Sequence, residues 1–261
     1  MEVTITILIL GGTTEARQLA TALVQAGQDV VSSLAGRVRE PALPPGRVRL
    51  GGFGGVEGLA HYLRTAGIAA VVDATHPFAA QISENVAAAA ELTGTPLLRL
   101  ERPGWVDRPQ AGTWSWVPDV AAARAAGECA SRPFLTSGRG SLESFLPWRD
   151  RPVLARVVEL PGFPLPSKWT LLSSRGPFSY AGERTIMVDH AIDLLITKDS
   201  GGSYTAAKLD AADDLGVEVV IIARPSRPST AQVSSVAAAM AWCAGLVDQP
   251  LQVPPAPLGS G

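Results

Sequence analysis

The first 33 residues constrain the fold most, because a strand pattern, a glycine turn, a helix pattern and a second strand pattern follow one another there. Residues 3–10 read VTITILIL, a run rich in β-branched side chains that is typical of a buried strand. Gly11 and Gly12 follow it, and residues 15–26 then carry apolar side chains at helical spacing. A strand pattern at 30–33 completes a β–α–β unit, which predicts a parallel sheet.

The same alternation continues along the chain and predicts an α/β fold built from two halves. In the first half, strand patterns lie near 48–50, 70–73 and 96–100, and helix patterns lie near 56–66 and 79–92. In the second half, strand patterns lie at 113–117, 134–136, 153–158, 171–173, 194–197 and 219–223, with helix patterns up to 130, at 205–215 and at 233–246.

Two prolines and two glycines interrupt the pattern between 101 and 112, which indicates a domain boundary. We therefore predict two Rossmann-like domains with parallel sheets, residues 1–104 and 105–247, and a ligand crevice between them. The Pro- and Gly-rich segment 248–261 is predicted to be a tail outside both domains.

Composition narrows the class of partner. Apolar residues make up 46% and charged residues 18%, which predicts a folded chain, and 22 basic against 24 acidic residues give no field for binding nucleic acid. The first apolar run is half the length of a membrane span and lacks a basic leader. Cys129 and Cys243 show neither metal nor redox spacing. We expect a cytoplasmic protein without a metal site or a membrane anchor.

The turn after the first strand is the strongest candidate binding site. Helix N-termini carry unpaired N–H groups and attract anions, so a diphosphate can bind at Gly11, Gly12, Thr13 and Thr14. The dinucleotide fingerprint G-x-G-x-x-G/A is matched in part, because Gly11 and Ala16 take its first and third places while Thr13 replaces the middle glycine. An ordinary tight turn between strand and helix is the alternative.

The end of the second strand favours NADP over NAD. An NAD site would normally place Asp or Glu there, whereas this chain reads Ser-Ser-Leu-Ala-Gly-Arg over residues 32–37. Hydroxyl and guanidinium groups suit a 2′-phosphate, so Ser33 and Arg37 are the predicted contacts. A surface loop with a solvated arginine is the alternative reading.

Residues 73–79, Asp-Ala-Thr-His-Pro-Phe-Ala, follow another buried strand, at the edge where open α/β sheets bind ligands. His76 is a candidate acid, base or hydrogen-bond donor to substrate, and Thr75 a candidate cofactor contact. A structural histidine and a helix-capping threonine are equally open.

Two polar, glycine-bearing loops follow strands in the second half and are predicted to face the same crevice. The predicted cofactor contacts there are Gly138, Arg139, Lys198, Ser200, Gly201 and Gly202. Lys198 is also a candidate for meeting anionic substrate groups. The sequence contains no P-loop, no Gly-x-Ser-x-Gly elbow and no metal-ligand cluster.

Several co-linear segments resemble the precorrin-6A reductase family of cobalamin biosynthesis. They are residues 7–17, 73–79, 98–105 (LRLERPGW), 136–139 (TSGR) and 197–202 (TKDSGG). The resemblance implies a two-domain enzyme that uses NADPH to reduce one double bond of precorrin-6A, giving precorrin-6B. His76 and Lys198, from their positions after strands, are the candidate catalytic residues, and no proton donor is assigned. Channelling of the product to other corrin-pathway enzymes is an expectation.

A substrate of this kind carries many carboxylates and calls for cations at strand ends. The candidates are Arg99, Arg102, Arg139, Arg156, Lys198 and Lys208. Two alternatives stay open. An NADP-dependent reductase of another small carbonyl or unsaturated substrate is favoured by Tyr204 and Lys208, four residues apart as in a Tyr-x-x-x-Lys pair. A non-catalytic dinucleotide sensor is the other.

Overall fold

The described part of the chain forms two six-stranded sheets, and every strand pairing in both sheets is parallel. A computed structural model describes residues 4–36 and 43–247. Their strands are Thr6–Leu10 (β1), Asp29–Leu34 (β2), Arg47–Leu50 (β3), Ile68–Asp73 (β4), Leu97–Leu100 (β5), Ser115–Val117 (β6), Pro133–Leu135 (β7), Val153–Val157 (β8), Trp169–Ser173 (β9), Leu194–Lys198 (β10), Glu218–Ile222 (β11) and Ala231–Val233 (β12). The predicted α/β fold with parallel sheets is confirmed.

The helices of the described residues alternate with these strands. They are Thr14–Gln25 (α1), Gly55–Thr65 (α2), Ala80–Thr93 (α3), Val120–Ala126 (α4), Tyr180–Asp189 (α5), Ala207–Leu215 (α6) and Val236–Val247 (α7), together with 3₁₀ segments at Pro109–Thr113 and Arg139–Trp148. The sequence patterns did not predict α5, β12 or the second 3₁₀ segment, and they extended α4 to residue 130.

The first sheet has the strand order β12-β5-β4-β1-β2-β3. The central strand β1 is buried along nearly its whole length, which explains its continuous apolar run. The order reverses between β1 and β4, since the chain leaves β1 toward β2 and β3 and then returns to β4 on the other side. Such a switch point is where open α/β sheets bind their ligands, beyond the carboxyl ends of the strands.

The C-terminal segment belongs to the first sheet, which differs from the prediction of one domain over 105–247. Within the described residues, the first compact unit consists of 4–36, 43–76, 81–101 and 228–247, and the second of 77–80 and 102–227. Strand β12 pairs with β5, and Ala239 and Cys243 of α7 lie in the same apolar core as Leu19 and Leu23 of α1. The final helix therefore covers the first sheet; the predicted tail, 248–261, lies outside the described residues.

The second sheet has the order β6-β11-β10-β7-β8-β9. Its switch point lies between β7 and β10, whose carboxyl ends lead into residues 136–140 and 198–203. The largest buried side chains of its two faces include Phe134, Phe145 and Trp148. Each sheet thus has one switch point, and the loops that leave it carry most of the predicted site residues.

Candidate functional site

The turn after β1 is shaped by contact with the end of β4. Gly11 has a φ of +113°, and a Cβ added to it would lie 2.6 Å from the carbonyl oxygen of Ala74. Its amide donates to the carbonyl of Ser33 at 3.0 Å, which ties the turn to β2 as well. Only glycine fits between these two strands, so the structure explains the first glycine of the fingerprint.

Thr13, in the middle glycine place of the fingerprint, has a capping role. Its hydroxyl accepts from the amide of Ala16 at 3.1 Å and donates to the carbonyl of Ala74 at 2.8 Å. The first-turn amides of an α-helix have no acceptor within the helix, which is why helix N-termini attract anions. The side chain of Thr13 therefore fixes the turn, and an anion would meet backbone N–H groups there.

Arg17 lies over the same turn, a placement to which the sequence analysis gave no role. Its guanidinium donates to the carbonyl of Gly12 at 2.7 Å and to the hydroxyl of Thr14 at 3.3 Å. Thr14 and Arg17 are three residues apart, so both side chains lie on one face of the helix. This spacing could have been used to predict from the sequence that Arg17 lies beside the turn. A positive charge thus stands beside the predicted diphosphate position.

A buried polar network holds the segment that follows β4. Asp73 accepts from both the amide (3.1 Å) and the hydroxyl (2.7 Å) of Thr75, and from the hydroxyl of Ser83 at 2.6 Å. Arg99 donates to Asp73 at 2.6 Å and to Glu101 at 2.5 Å. Since these side chains are all at least nine-tenths buried, the network holds the backbone next to His76 in place.

Arg99 was a candidate for binding substrate carboxylates, and the structure pairs its guanidinium with two carboxylates of the protein. The residue is only 4% exposed and already lies between two carboxylates of its own unit. His76, by contrast, is exposed at the end of this segment, while Thr75 is 8% exposed with its hydroxyl bonded to Asp73. The network orients the two predicted site residues differently: His76 outward and Thr75 inward.

Of the two residues predicted to contact a 2′-phosphate, Ser33 and Arg37, the structure describes only Ser33. Ser33 is 6% exposed near the end of β2, so little of its side chain reaches solvent. Arg37 lies outside the described residues. Residues 30–36 contain no Asp or Glu that would repel a 2′-phosphate. Ser33 lies in register with Arg49 of β3.

In the second unit, residues 136–140 form a tight polar turn after β7. The amide of Thr136 donates to the carbonyl of Ile196 in β10, which joins the ends of the two strands at 2.9 Å. Gly138 has a φ of +89° with open space around it, and Arg139 is exposed and pairs with Glu159 at 3.2 Å. The turn thus leaves Gly138 accessible to a ligand, and Arg139 only partly so.

Lys198 ends β10, on the other side of this switch point. Its Nζ lies 5.2 Å from the ring centre of Phe78, two residues after His76 in the chain. Partial burial lowers the pKa of Lys198, because desolvation disfavours the charged amine. The structure therefore places Lys198 beside Phe78, although 120 residues separate these two in the sequence.

The glycines after Lys198 are explained by close packing within the second unit. Arg102 donates to the carbonyl of Ser200 at 2.6 Å, and the indole of Trp105 donates to the carbonyl of Gly202 at 3.1 Å. Gly201 and Gly202 both have positive φ, and a Cβ on either would overlap residues 102–103. The contact with residues 102–103 is enough to explain why glycine is needed at both positions. The presence of the two glycines is therefore not evidence that they bind the cofactor.

Tyr204 and Lys208 do not form the pair that a small-carbonyl reductase would need. Tyr204 is 49% exposed, whereas Lys208 is 4% exposed with its Nζ 5.3 Å from the ring centre of Trp105. Among the described residues no hydrogen bond joins the two side chains. The feature that favoured this alternative is therefore absent from the described structure.

Lys208 lies beside a second buried ion pair. Arg156 of β8 holds Glu183 of α5 through two hydrogen bonds of 2.5 and 3.0 Å, and both side chains are nearly inaccessible. Burial, and the charge of Arg156, lower the pKa of Lys208 to about 7. Arg156 and Lys208, both expected at the substrate, are instead internal groups of the second unit.

The lowered pKa of Lys208 predicts a pH-dependent stability. Below pH 7 the Lys208 amine is protonated in both the native and the unfolded protein, and burying this cation destabilises the native protein. Above pH 7 the native Lys208 amine loses its proton, while the same amine in the unfolded chain keeps it. Because the unfolded chain then binds more protons than the native protein, the free energy of unfolding should rise from about pH 7 up to the ordinary lysine pKa of 10.5. The melting temperature of the Lys208→Met variant should lack this rise, whereas exposed Lys168→Met should keep it; equal slopes in wild type and Lys208→Met would contradict the assignment.

Neither a metal cluster nor a membrane span is present in the part of the chain that the structure describes. No group of three or more His, Cys, Asp or Glu side chains at 4–36 or 43–247 could hold a metal ion. No helix of those residues is long and apolar enough to cross a membrane.

Comparison with known proteins reveals relatives across almost the whole chain. Residues 6–244 match the family described as precorrin-6x reductase CbiJ/CobK. The chain is 50% identical over 239 residues to a precorrin-6A reductase of Rhodococcus erythropolis, covering 90% of this chain and 96% of the relative. A cobalt-precorrin-6A reductase of Priestia megaterium is 31% identical over 238 residues, which cover 84% of this chain and 90% of the relative.

A solved structure shares the fold. It is described as CobK precorrin-6A reductase and matches with a TM-score of 0.87 at 41% sequence identity, covering 93% of this chain and 97% of that one. The likeness therefore extends to both units.

Proposed function

The chain belongs to the precorrin-6x reductase CbiJ/CobK family, and from that membership we propose that it is an NADPH-dependent enzyme that reduces precorrin-6A to precorrin-6B in cobalamin biosynthesis. Relatives named for this substrate share half of its residues. The observation that carries the cofactor assignment is the turn at Gly11–Thr14, which lies at the switch point of the first sheet, beside a strand end without a carboxylate.

The residues at this switch point fit a dinucleotide. Gly12 is exposed, and it lies at the N-terminus of α1, where the helix dipole favours a negatively charged diphosphate. Arg17 adds a positive charge at the same turn. NADPH, when bound, supplies the hydride for the double bond.

The protein's own contribution is to bind and orient the substrate. The buried network around Asp73 holds the backbone that presents His76, and we propose that His76 contacts the macrocycle. Lys198 and Arg139 are proposed to bind carboxylates of the substrate, and an anion beside Lys198 would raise its lowered pKa again. Cytoplasmic location and direct transfer of the product to other corrin-pathway enzymes stay predictions.

A reduction assay tests the function directly. Purified protein would be incubated with NADPH and precorrin-6A while the absorbance of both is followed, with NADH as the second reductant and cobalt-precorrin-6A as the second substrate. We expect one NADPH consumed per precorrin-6A reduced, and slower turnover with NADH. Absence of NADPH oxidation with either macrocycle would overturn the proposal.

Replacing His76 with alanine should lower turnover or substrate affinity by at least about tenfold, the worth of one lost hydrogen bond to a charged group. The fold should persist because the side chain is exposed. His61, exposed on α2, provides the matched control, and His61→Ala should leave the kinetics unchanged. Steady-state kinetics and circular dichroism of both variants measure the effect; wild-type kinetics in His76→Ala would assign this histidine no role at the site.

A further inference from the structure

Arg49 stands at the edge of the first sheet where the adenosine ribose of a dinucleotide is expected. It lies in β3, in register with Ser33 of β2, and Leu50 is in register with Leu34. The amide of Gly51 donates to the carbonyl of Leu34 at 2.9 Å, so the turn after β3 is bonded to the end of β2. The end of β2 is the part of a Rossmann-like sheet that distinguishes NAD from NADP.

The guanidinium of Arg49 is held in one orientation. One terminal nitrogen donates to the carbonyl of Gly51 and the other to the carbonyl of Gly52, each at 2.7 Å. Its plane lies over the ring of Phe53, 3.8 Å from the ring centre. A long side chain fixed in this way loses little further conformational entropy when it binds an anion.

The charge of Arg49 is not neutralised within the described residues. No Asp or Glu side chain among them lies within ion-pair distance of it, and its carbonyl partners are neutral. Arg47, two residues earlier on the same strand, pairs with Asp29 at 2.5 Å. The two arginines of β3 therefore differ: one has an acidic partner, and the other is an oriented cation without one.

We propose that Arg49 is a specificity-determining residue that binds the 2′-phosphate of NADP. This inference rests on the proposed function, because it assumes that the dinucleotide lies at the switch point beside β2. The two carbonyls use one N–H of each terminal nitrogen, so the second N–H of each and the Nε–H are available to phosphate oxygens. Arg49 would thus provide a fixed cation for the phosphate at the edge of the first sheet.

Binding of two adenine nucleotides tests the proposal without turnover. Adenosine 2′,5′-bisphosphate and adenosine 5′-monophosphate, which differ only by the 2′-phosphate, would be titrated calorimetrically into wild-type protein. We expect the wild type to prefer the bisphosphate. Arg49→Ala should weaken bisphosphate binding by about tenfold to a hundredfold and leave the monophosphate within about twofold. Arg47→Ala is the matched control and should keep the wild-type preference.

A second variant covers the case in which Arg49→Ala does not fold. Arg49→Gln keeps an amide that can donate to a turn carbonyl but carries no charge, and it should show the same loss of preference. If wild type prefers the bisphosphate and either folded Arg49 variant keeps that preference, the proposal for Arg49 is overturned while the cofactor assignment stands. If wild type itself shows no preference, the assignment of NADPH fails and the role of Arg49 fails with it.

Discussion

The Gly11→Ala variant should lose about 2–5 kcal/mol of folding stability and at least about tenfold in NADPH affinity. The added methyl group would lie 2.6 Å from the carbonyl oxygen of Ala74 and 2.8 Å from the Cα of Thr75, both backbone atoms that cannot rotate away. A non-glycine residue at this φ adds about 1–2 kcal/mol of strain, and the overlap adds a further 1–3. Separating the two strand ends would also displace the first turn of α1, where the diphosphate is proposed to bind.

Gly12→Ala is the control for this variant. Its φ is not positive, and its Cβ would approach only the side chain of Leu34 at 3.4 Å, which can shift. Thermal unfolding and titration with NADPH would be measured for both variants. A loss in Gly11→Ala alone would show that glycine is needed at position 11 because of the close contact there, and not throughout the turn. Equal losses in the two variants would refute the contact with Ala74 as the cause.

Glu183→Gln should destabilise the second unit by about 3–5 kcal/mol, the cost of leaving a buried charge without its partner. The side chains of Glu183 and Arg156 are at most 5% exposed and share two hydrogen bonds. In the variant the Arg156 cation would face a neutral amide, and the pKa of Lys208 would lose the negative charge that raises it. Five of the six tryptophans, all except Trp242, lie in the second unit, so tryptophan fluorescence in urea reports mainly on its unfolding.

Glu128→Gln supplies the comparison, because Glu128 makes the same kind of pair with Arg151 while 64% exposed. We expect a much smaller shift of the urea midpoint, since solvent screens that pair. The double variant Arg156→Met with Glu183→Leu should recover much of the single-variant loss, because it removes both buried charges. A Glu183→Gln midpoint no lower than that of Glu128→Gln would show that the buried pair does not stabilise the fold.

The parallel sheets followed from the sequence because their strands are buried on both faces and appear as continuous apolar runs. Helix α5 did not, since only Glu183 and Met187 of its ten residues are buried and no apolar stripe marks it. Strand β12 is three residues long and two of them are exposed, so nothing in the residues around Val233 distinguished it from a helix start. It is a strand because it pairs with β5, 133 residues earlier in the chain.

The positions of the candidate site residues could be predicted better than their partners. A cation at a strand end was visible at Arg99 and Arg156, but the carboxylates that neutralise them come mostly from elements about 26 residues away. Glu101 was the exception, because residues two apart on an extended segment share a face, and it does pair with Arg99. Gly201 and Gly202 looked like a ligand loop, whereas the close approach of residues 102–103 accounts for them.

The return of β12 and α7 to the first unit sets the order in which the protein can be completed during synthesis. Residues 102–227 of the second unit have all been translated before the last strand and helix of the first unit exist. Until residues 228–247 are made, the apolar faces of β5 and α1 that they cover lack their partners. The first unit is therefore completed last, although its first strands are made first. In a nascent chain that stalls before residue 228, the apolar faces of β5 and α1 stay uncovered, and we expect chaperones to be needed to prevent aggregation.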